Sequence, residues 1–144
     1  MVQVRITVLC DNERVREDLN TGWGFSALIN GTVLFDTGET HTLLENMAAL
    51  DVSLAEISTV VLSHGHADHT GGLVGVVKEI TDISDLVSTE RLAAAVTRSV
   101  PDVVEVTVAG DPTYIREGVI TMGSVGSSIP SKESSAVLHG TRYS

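Results

Sequence analysis

Ser63-His64-Gly65-His66-Ala67-Asp68-His69-Thr70-Gly71-Gly72 holds three of the chain's five histidines beside a carboxylate. The residues before it, Thr59-Val60-Val61-Leu62, are β-branched and apolar, the composition of a short buried strand. After it, Leu73, Val76, Val77 and Ile80 fall at helical spacing, which predicts a helix from Gly71 to Ile80. The cluster is therefore expected on a tight turn between the carboxyl end of a strand and the start of a helix. Imidazoles and carboxylates are the usual ligands of zinc, iron and manganese. In an extended segment His64 and His66 point to one side and can share a cation, while Asp68 and His69, past the bend, can hold a second. Gly65 adds no side chain where the ligands crowd. The bland alternative is a polar surface turn that happens to be rich in histidine, and clustering this dense argues against it.

Working outward from the cluster, Leu34-Phe35-Asp36-Thr37-Gly38 ends one strand, and Asn30-Gly31 just before it is the strongest short hairpin signal in the chain. The hairpin strands are expected over Gly24–Asn30 and Thr32–Phe35. Val2, Val4, Ile6 and Val8 alternate with polar residues, as in a half-buried first strand. Asp11 to Asn20 is polar and reads as a loop. A helix is expected from Thr40 to Leu50, with Leu43, Leu44, Met47 and Ala48 inward. Downstream, a short strand at Asp85–Val87 leads to a helix capped by Ser88, with Leu92, Ala95 and Val96 inward and Pro101 closing it. Strands follow at Val103–Ala109, around Tyr114 and Ile115, at Val119–Met122, and from Ala136 to Leu138. Strands first, then strands alternating with helices, predict a single α/β domain over residues 1–144 with a mixed sheet.

Composition sets further bounds. Apolar residues make up 42% and aromatic ones 3%, so the core must be built from Val, Leu, Ile and Ala. A formal charge of −10 argues against nucleic acid and anionic membranes as partners. The lone Cys10 excludes an internal disulfide and suits a reducing cytoplasm. No run approaches transmembrane length, and Met1 to Cys10 does not resemble a signal peptide.

The string His64-Gly65-His66-Ala67-Asp68-His69 resembles the HxHxDH signature of the metallo-β-lactamase fold. From Val60 to Leu73 it is similar to the branch that includes archaeal dihydropterin-pathway synthases. Leu9-Cys10-Asp11-Asn12, Thr21-Gly22-Trp23-Gly24-Phe25-Ser26 and the Asp36 turn agree with this, and Pro112 to Gly123 follows more loosely. The resemblance implies a truncated form of the αββα layers, roughly one half of the usual four-layer sandwich plus extra strands. It implies metal ligation by His64, His66, Asp68 and His69, and zinc, or iron or manganese, with up to two ions per site. Asp68 would also orient a metal-bound hydroxide that attacks a small-molecule ester, amide or phosphoester. The helix predicted from Gly71 would offer free N–H groups to an anionic part of the substrate.

Asp36 has two readings. A DTG turn can be a simple Asx cap, whereas the matching Asp of the family lies below the metals and orients a ligand. Asp11 and Asn12 read as a loop-capping pair, while the resemblance implies a place on the pocket rim; Trp23 and Phe25 read as core or rim packing. Family members usually exceed 200 residues, and their second half brings further ligands. Here only His41 and His139 remain as extra imidazoles: His139 is a candidate ligand at the end of the last strand, and His41 reads as a solvated helix-start residue. A half-sized sandwich leaves an edge and an apolar face to cover, so a homodimer or higher assembly is expected. Two further readings are a catalytically silent metal-binding or assembly protein of the same fold, and a truncated gene product.

Overall fold

The structure, a computed structural model, describes residues 3–13, 16–116, 118–125 and 134–139, without the side chains of 124, 125 and 134–139. The fold is organised by the strand before the histidine turn. β4 (Thr59–Val61) is buried throughout and lies inside a six-stranded mixed sheet. The sheet runs β1 (Ile6–Cys10), β2 (Ser26–Ile29), β3 (Val33–Phe35), β4, β5 (Asp85–Ser88) and β6 (Glu105–Val108) in that order. β1–β2 and β2–β3 are antiparallel, and β3 to β6 run parallel. The β2–β3 hairpin closes as Asn30-Gly31 predicts, with φ of 52° and 74°. Positive φ at both central residues matches the twist of the flanking strands.

Register places Leu34, Val60, Leu86 and Val106 side by side. On this face pack Leu43 and Met47 of α1 (Thr42–Ala49), Leu73, Val76 and Val77 of α3 (Leu73–Glu79), and Val96 of α4 (Glu90–Ser99). One residue along each strand the side chains turn to the other face. There Val33, Val61 and Val87 meet Val119 and Ile115 of a second, antiparallel sheet. That sheet is β7 (Thr113–Arg116), β8 (Val119–Val125) and β9 (Ser134–His139). The described residues thus form three layers, helices on a mixed sheet on a second sheet, the α/β layering expected from the order of elements.

Three packing expectations fail. In α4 Val96 is buried and Leu92 partly so, but Ala95 is exposed, and the N-cap is Thr89 and not Ser88. β1 buries Leu9 and Cys10, at 1% and 2% exposure, while Val4, Ile6 and Val8 are 38–60% exposed. Alternation located the strand but could not choose the face. Ile6 and Val8 pair with Ile29 and Ala27 on the side facing away from the helices, out at the sheet edge. In α1 the inward position is taken by Asn46 and not by Ala48. The Asn46 amide donates to the carbonyls of Leu9 and Asn20 (2.8 and 2.9 Å) and accepts from the Asn20 N–H (2.8 Å). A buried side-chain amide thereby ties the first loop to the core, with its polar atoms paired.

The predicted helix from Gly71 begins earlier and in two pieces. A short helix α2 (Ala67–Thr70) precedes α3, so Asp68 and His69 lie within a helical turn instead of beyond a bend. Among the described residues no helix is long and apolar enough to cross a membrane.

Candidate metal centre

The histidine turn leaves the carboxyl end of β4, and Asp36 leaves the adjacent parallel strand β3, at the same end of the sheet. Asp36 is fully buried and adopts a left-handed backbone, φ 54°. For a residue other than glycine that conformation costs of order 1–3 kcal/mol and persists only where the surroundings fix it. Here its N–H donates to the Val61 carbonyl (2.9 Å) and its carbonyl accepts from the Ser26 hydroxyl (2.7 Å).

The Asp36 carboxylate is fully used within the protein. Oδ1 accepts from the Ser63 N–H at 2.7 Å, and Oδ2 accepts from the Ser63 hydroxyl at 2.5 Å and from His69 Nδ1 at 2.7 Å. Asp36, His64 and His69 offer donor atoms within 4.8 Å of one another, as do His64, His66 and Asp68. The first set is an anchoring set, because both Asp36 oxygens already hold donors. The second set is the one whose lone pairs remain for a cation.

The three rings crowd together, edge-on and tilted, with the His64 centroid 4.6 Å from that of His66 and 4.3 Å from that of His69. His69 Nε2 lies 3.6 Å from Asp68 Oδ2. Two donors held about 2.1 Å from one tetrahedral cation are about 3.4 Å apart, so this pair has the spacing of shared ligands. The donor chemistry of the cluster, imidazoles and a carboxylate, fits a divalent transition metal.

The backbone is clamped from two sides. α2 is too short to use its own later carbonyls, and neighbouring segments take them. The Asp68 carbonyl accepts from Phe25 N–H (3.3 Å), and the His69 carbonyl accepts from Thr37 N–H (2.8 Å). Gly24 lies so close that a Cβ there would sit 1.6 Å from the Asp68 carbonyl oxygen. The Gly71 and Gly72 N–H groups are also committed. Gly71 donates to Ala67, and Gly72 to the Gly38 carbonyl and Thr37 Oγ1. Gly71 and Gly72 therefore offer no free N–H to an anion.

Protonation differs between rings. Burial is the main force lowering the His64 pKa, reinforced by neighbouring His69. The hydrogen bond to Asp36 raises that of His69 against the opposing effect of burial. Burial likewise raises the Cys10 thiol, which is packed beneath the turn against Gly22 and Gly38.

The remaining sequence candidates lie elsewhere. The His41 side chain is 73% exposed, beside Glu45 at 3.7 Å. It lines a cleft of about 540 Å³ between α1 and α3 that shares no lining residue with the histidine cluster. The backbone of His139 pairs with Val119 in β9, but its side chain falls outside the described residues. Asn12 caps the first loop by accepting from Gly24 N–H at 2.7 Å. Phe25 packs edge-on against Phe35, whereas Trp23 is 64% exposed and not a core residue. Sequence reasoning assigned no role to Ser63 or Thr37; their positions next to His64 and Asp36 were the only signal.

A strand-turn-helix bearing HxHxDH, set over a buried aspartate at the end of a mixed sheet, defines a metal-site α/β architecture. Residues 24–130 match the family model of the metallo-beta-lactamase superfamily, and the chain belongs to that superfamily. It is 45% identical over 53 residues to the 7,8-dihydropterin-6-methyl-4-(beta-D-ribofuranosyl)-aminobenzene-5'-phosphate synthase of Methanocaldococcus jannaschii. That match covers 36% of this chain and 18% of the synthase. Among solved structures, Tm1679, a metal-dependent hydrolase of the beta-lactamase superfamily, superposes with a TM-score of 0.66 at 25% identity, covering 84% of this chain and 48% of that one. The fold protein YhfI of Bacillus subtilis gives 0.65 at 14% identity, over 94% of this chain and 57% of its own. The chain thus spans about half the length of these solved relatives and less than a fifth of the synthase.

Proposed function

We propose that the chain is a metal-dependent hydrolase acting on a small-molecule ester, amide or phosphoester. The observation that carries this reading is the convergence of the His64, His66 and Asp68 donor atoms within 4.8 Å, backed by a buried carboxylate that serves only the protein. His64 and His66 would hold one cation, and Asp68 and His69 a second. Zinc, iron and manganese all suit this donor set. Such cations supply a nucleophile from water near neutral pH and polarise the oxygen of the bond under attack. Asp36 holds His69 in the tautomer that leaves Nε2 free. Asp68 would also orient the attacking water.

Tm1679 is described as a metal-dependent hydrolase, and the synthase's name includes a phosphate, so phosphoesters are the first substrates to try. The competing reading is a metal-binding protein without catalysis. It is favoured by the donor count, since dividing His64, His66, Asp68 and His69 between two cations would leave each with two protein ligands among the described residues, and His41 is exposed beside Glu45.

The test is hydrolysis of a chromogenic phosphoester and carboxylic ester panel by metal-loaded protein, with chelated protein and Asp68→Ala as controls. The expected outcome is turnover abolished by chelation and reduced by roughly 10²–10⁴-fold in Asp68→Ala. Metal-loaded wild type no faster than Asp68→Ala on every substrate would favour the silent reading.

A further inference from the structure

We infer that Ser63 is a positioning residue that fixes the tautomer of His64 and so aims its Nε2 at the metal site. The inference rests on the metal reading above, but its geometry stands in the protein alone. Ser63 is 6% exposed, at the junction between β4 and the histidine turn. Its hydroxyl makes two contacts, to Asp36 Oδ2 at 2.5 Å and to His64 Nδ1 at 2.8 Å.

Counting protons orders the chain of bonds. An ionised carboxylate only accepts, and a serine hydroxyl has one proton to give. Asp36 already receives the Ser63 N–H and His69 Nδ1–H, as a carboxylate would. The Ser63 proton therefore goes to Asp36, and the Ser63 oxygen is left as an acceptor. His64 Nδ1 must then carry the hydrogen, and the lone pair of the neutral ring lies on Nε2. Asp36 does the same for His69 directly. One buried carboxylate thus orients two imidazoles, one by contact and one through a serine, while the His66 ring has no such tether among the described residues. Without the hydroxyl, His64 Nδ1 loses its acceptor and the ring is free to take the other tautomer or rotate.

The experiment uses the whole chain labelled with ¹⁵N-histidine, prepared metal-free at mildly alkaline pH, with nitrogen NMR reporting tautomers and zinc titration reporting affinity. Wild type is expected to show His64 as the Nδ1–H tautomer. In Ser63→Ala that signature is expected to give way to Nε2–H or a mixture, with zinc affinity falling roughly 10- to 100-fold. Ser63→Thr, which keeps the hydroxyl, is expected to restore both, a rescue that a purely packing role would not require of the oxygen. A wild-type His64 in the Nε2–H form overturns the assignment whatever the variants do, including if Ser63→Ala fails to fold. An unchanged tautomer and unchanged zinc affinity in folded Ser63→Ala overturn it as well. Failure of wild type to bind zinc sinks the metal reading by itself, whereas those two results sink only the role of Ser63.

Discussion

Asp36 and the two rings tied to it make the clearest case at the residue scale. The folded protein holds the His69 proton more tightly than an unfolded chain does, because the Asp36 hydrogen bond favours the charged ring. That contribution to stability is complete below about pH 6.5 and is lost as pH rises through the raised His69 value. His64 works in the other direction, since burial favours its neutral form. Its contribution is present above about pH 6.5 and is lost as pH falls toward its lowered value. Together these two groups favour the metal-free fold most between the lowered His64 value and the raised His69 value. Urea unfolding across pH should show this, and Asp36→Asn should remove the alkaline descending limb. Breaking so buried an ionic contact should also cost about 3 kcal/mol. A descending limb that survives in Asp36→Asn would contradict the assignment. The ligand cluster was legible in the sequence because its members are contiguous. Asp36 lies 27 positions before Ser63, and only the family resemblance, not spacing, connected it to the histidines.

At the scale of elements, the geometry of α2 depends on loops that supply what a four-residue helix cannot. Phe25 and Thr37 bind the carbonyls of Asp68 and His69, and Gly24 lets the first loop press against that turn. Gly24 combines a φ of 102° with a would-be Cβ contact to backbone, so neither strain nor clash can be relieved by a side-chain shift. Gly24→Ala should therefore destabilise the protein by more than about 3 kcal/mol and weaken metal binding, read by denaturant unfolding and zinc titration. Stability and affinity both within error of wild type would refute the clamp. The hairpin, α1, α4 and the parallel strands were legible because each has a strong local period or turn signal. The early start of α2 was not, because His66-Ala67-Asp68-His69 carries no helical apolar period and is held by contacts from distant segments. The exposed face of β1 was illegible for a related reason. Alternation fixes which residues share a face, while burial depends on what lies opposite.

Across the whole molecule, the helices, the mixed sheet and the second sheet meet so that β3 and β4 deliver Asp36 and the histidine turn to one end. Parallel strands put their carboxyl ends together, and that shared end is where α/β sheets commonly place their sites. The layering followed from the order of elements in the sequence. The second sheet's contact with Val33, Val61 and Val87 did not, since Val119 and Ile115 carry no sign of their partners. Charge also acts at this scale. Two divalent cations would move the formal net charge from −10 to −6 and relieve repulsion around any anionic substrate. Metal content per chain, measured by elemental analysis after incubation with zinc or manganese and desalting, shows whether the histidine turn holds cations. Wild type should retain close to two equivalents, and a His64→Ala, Asp68→Ala double variant should lose both. Wild type retaining no more metal than that variant would contradict the metal reading.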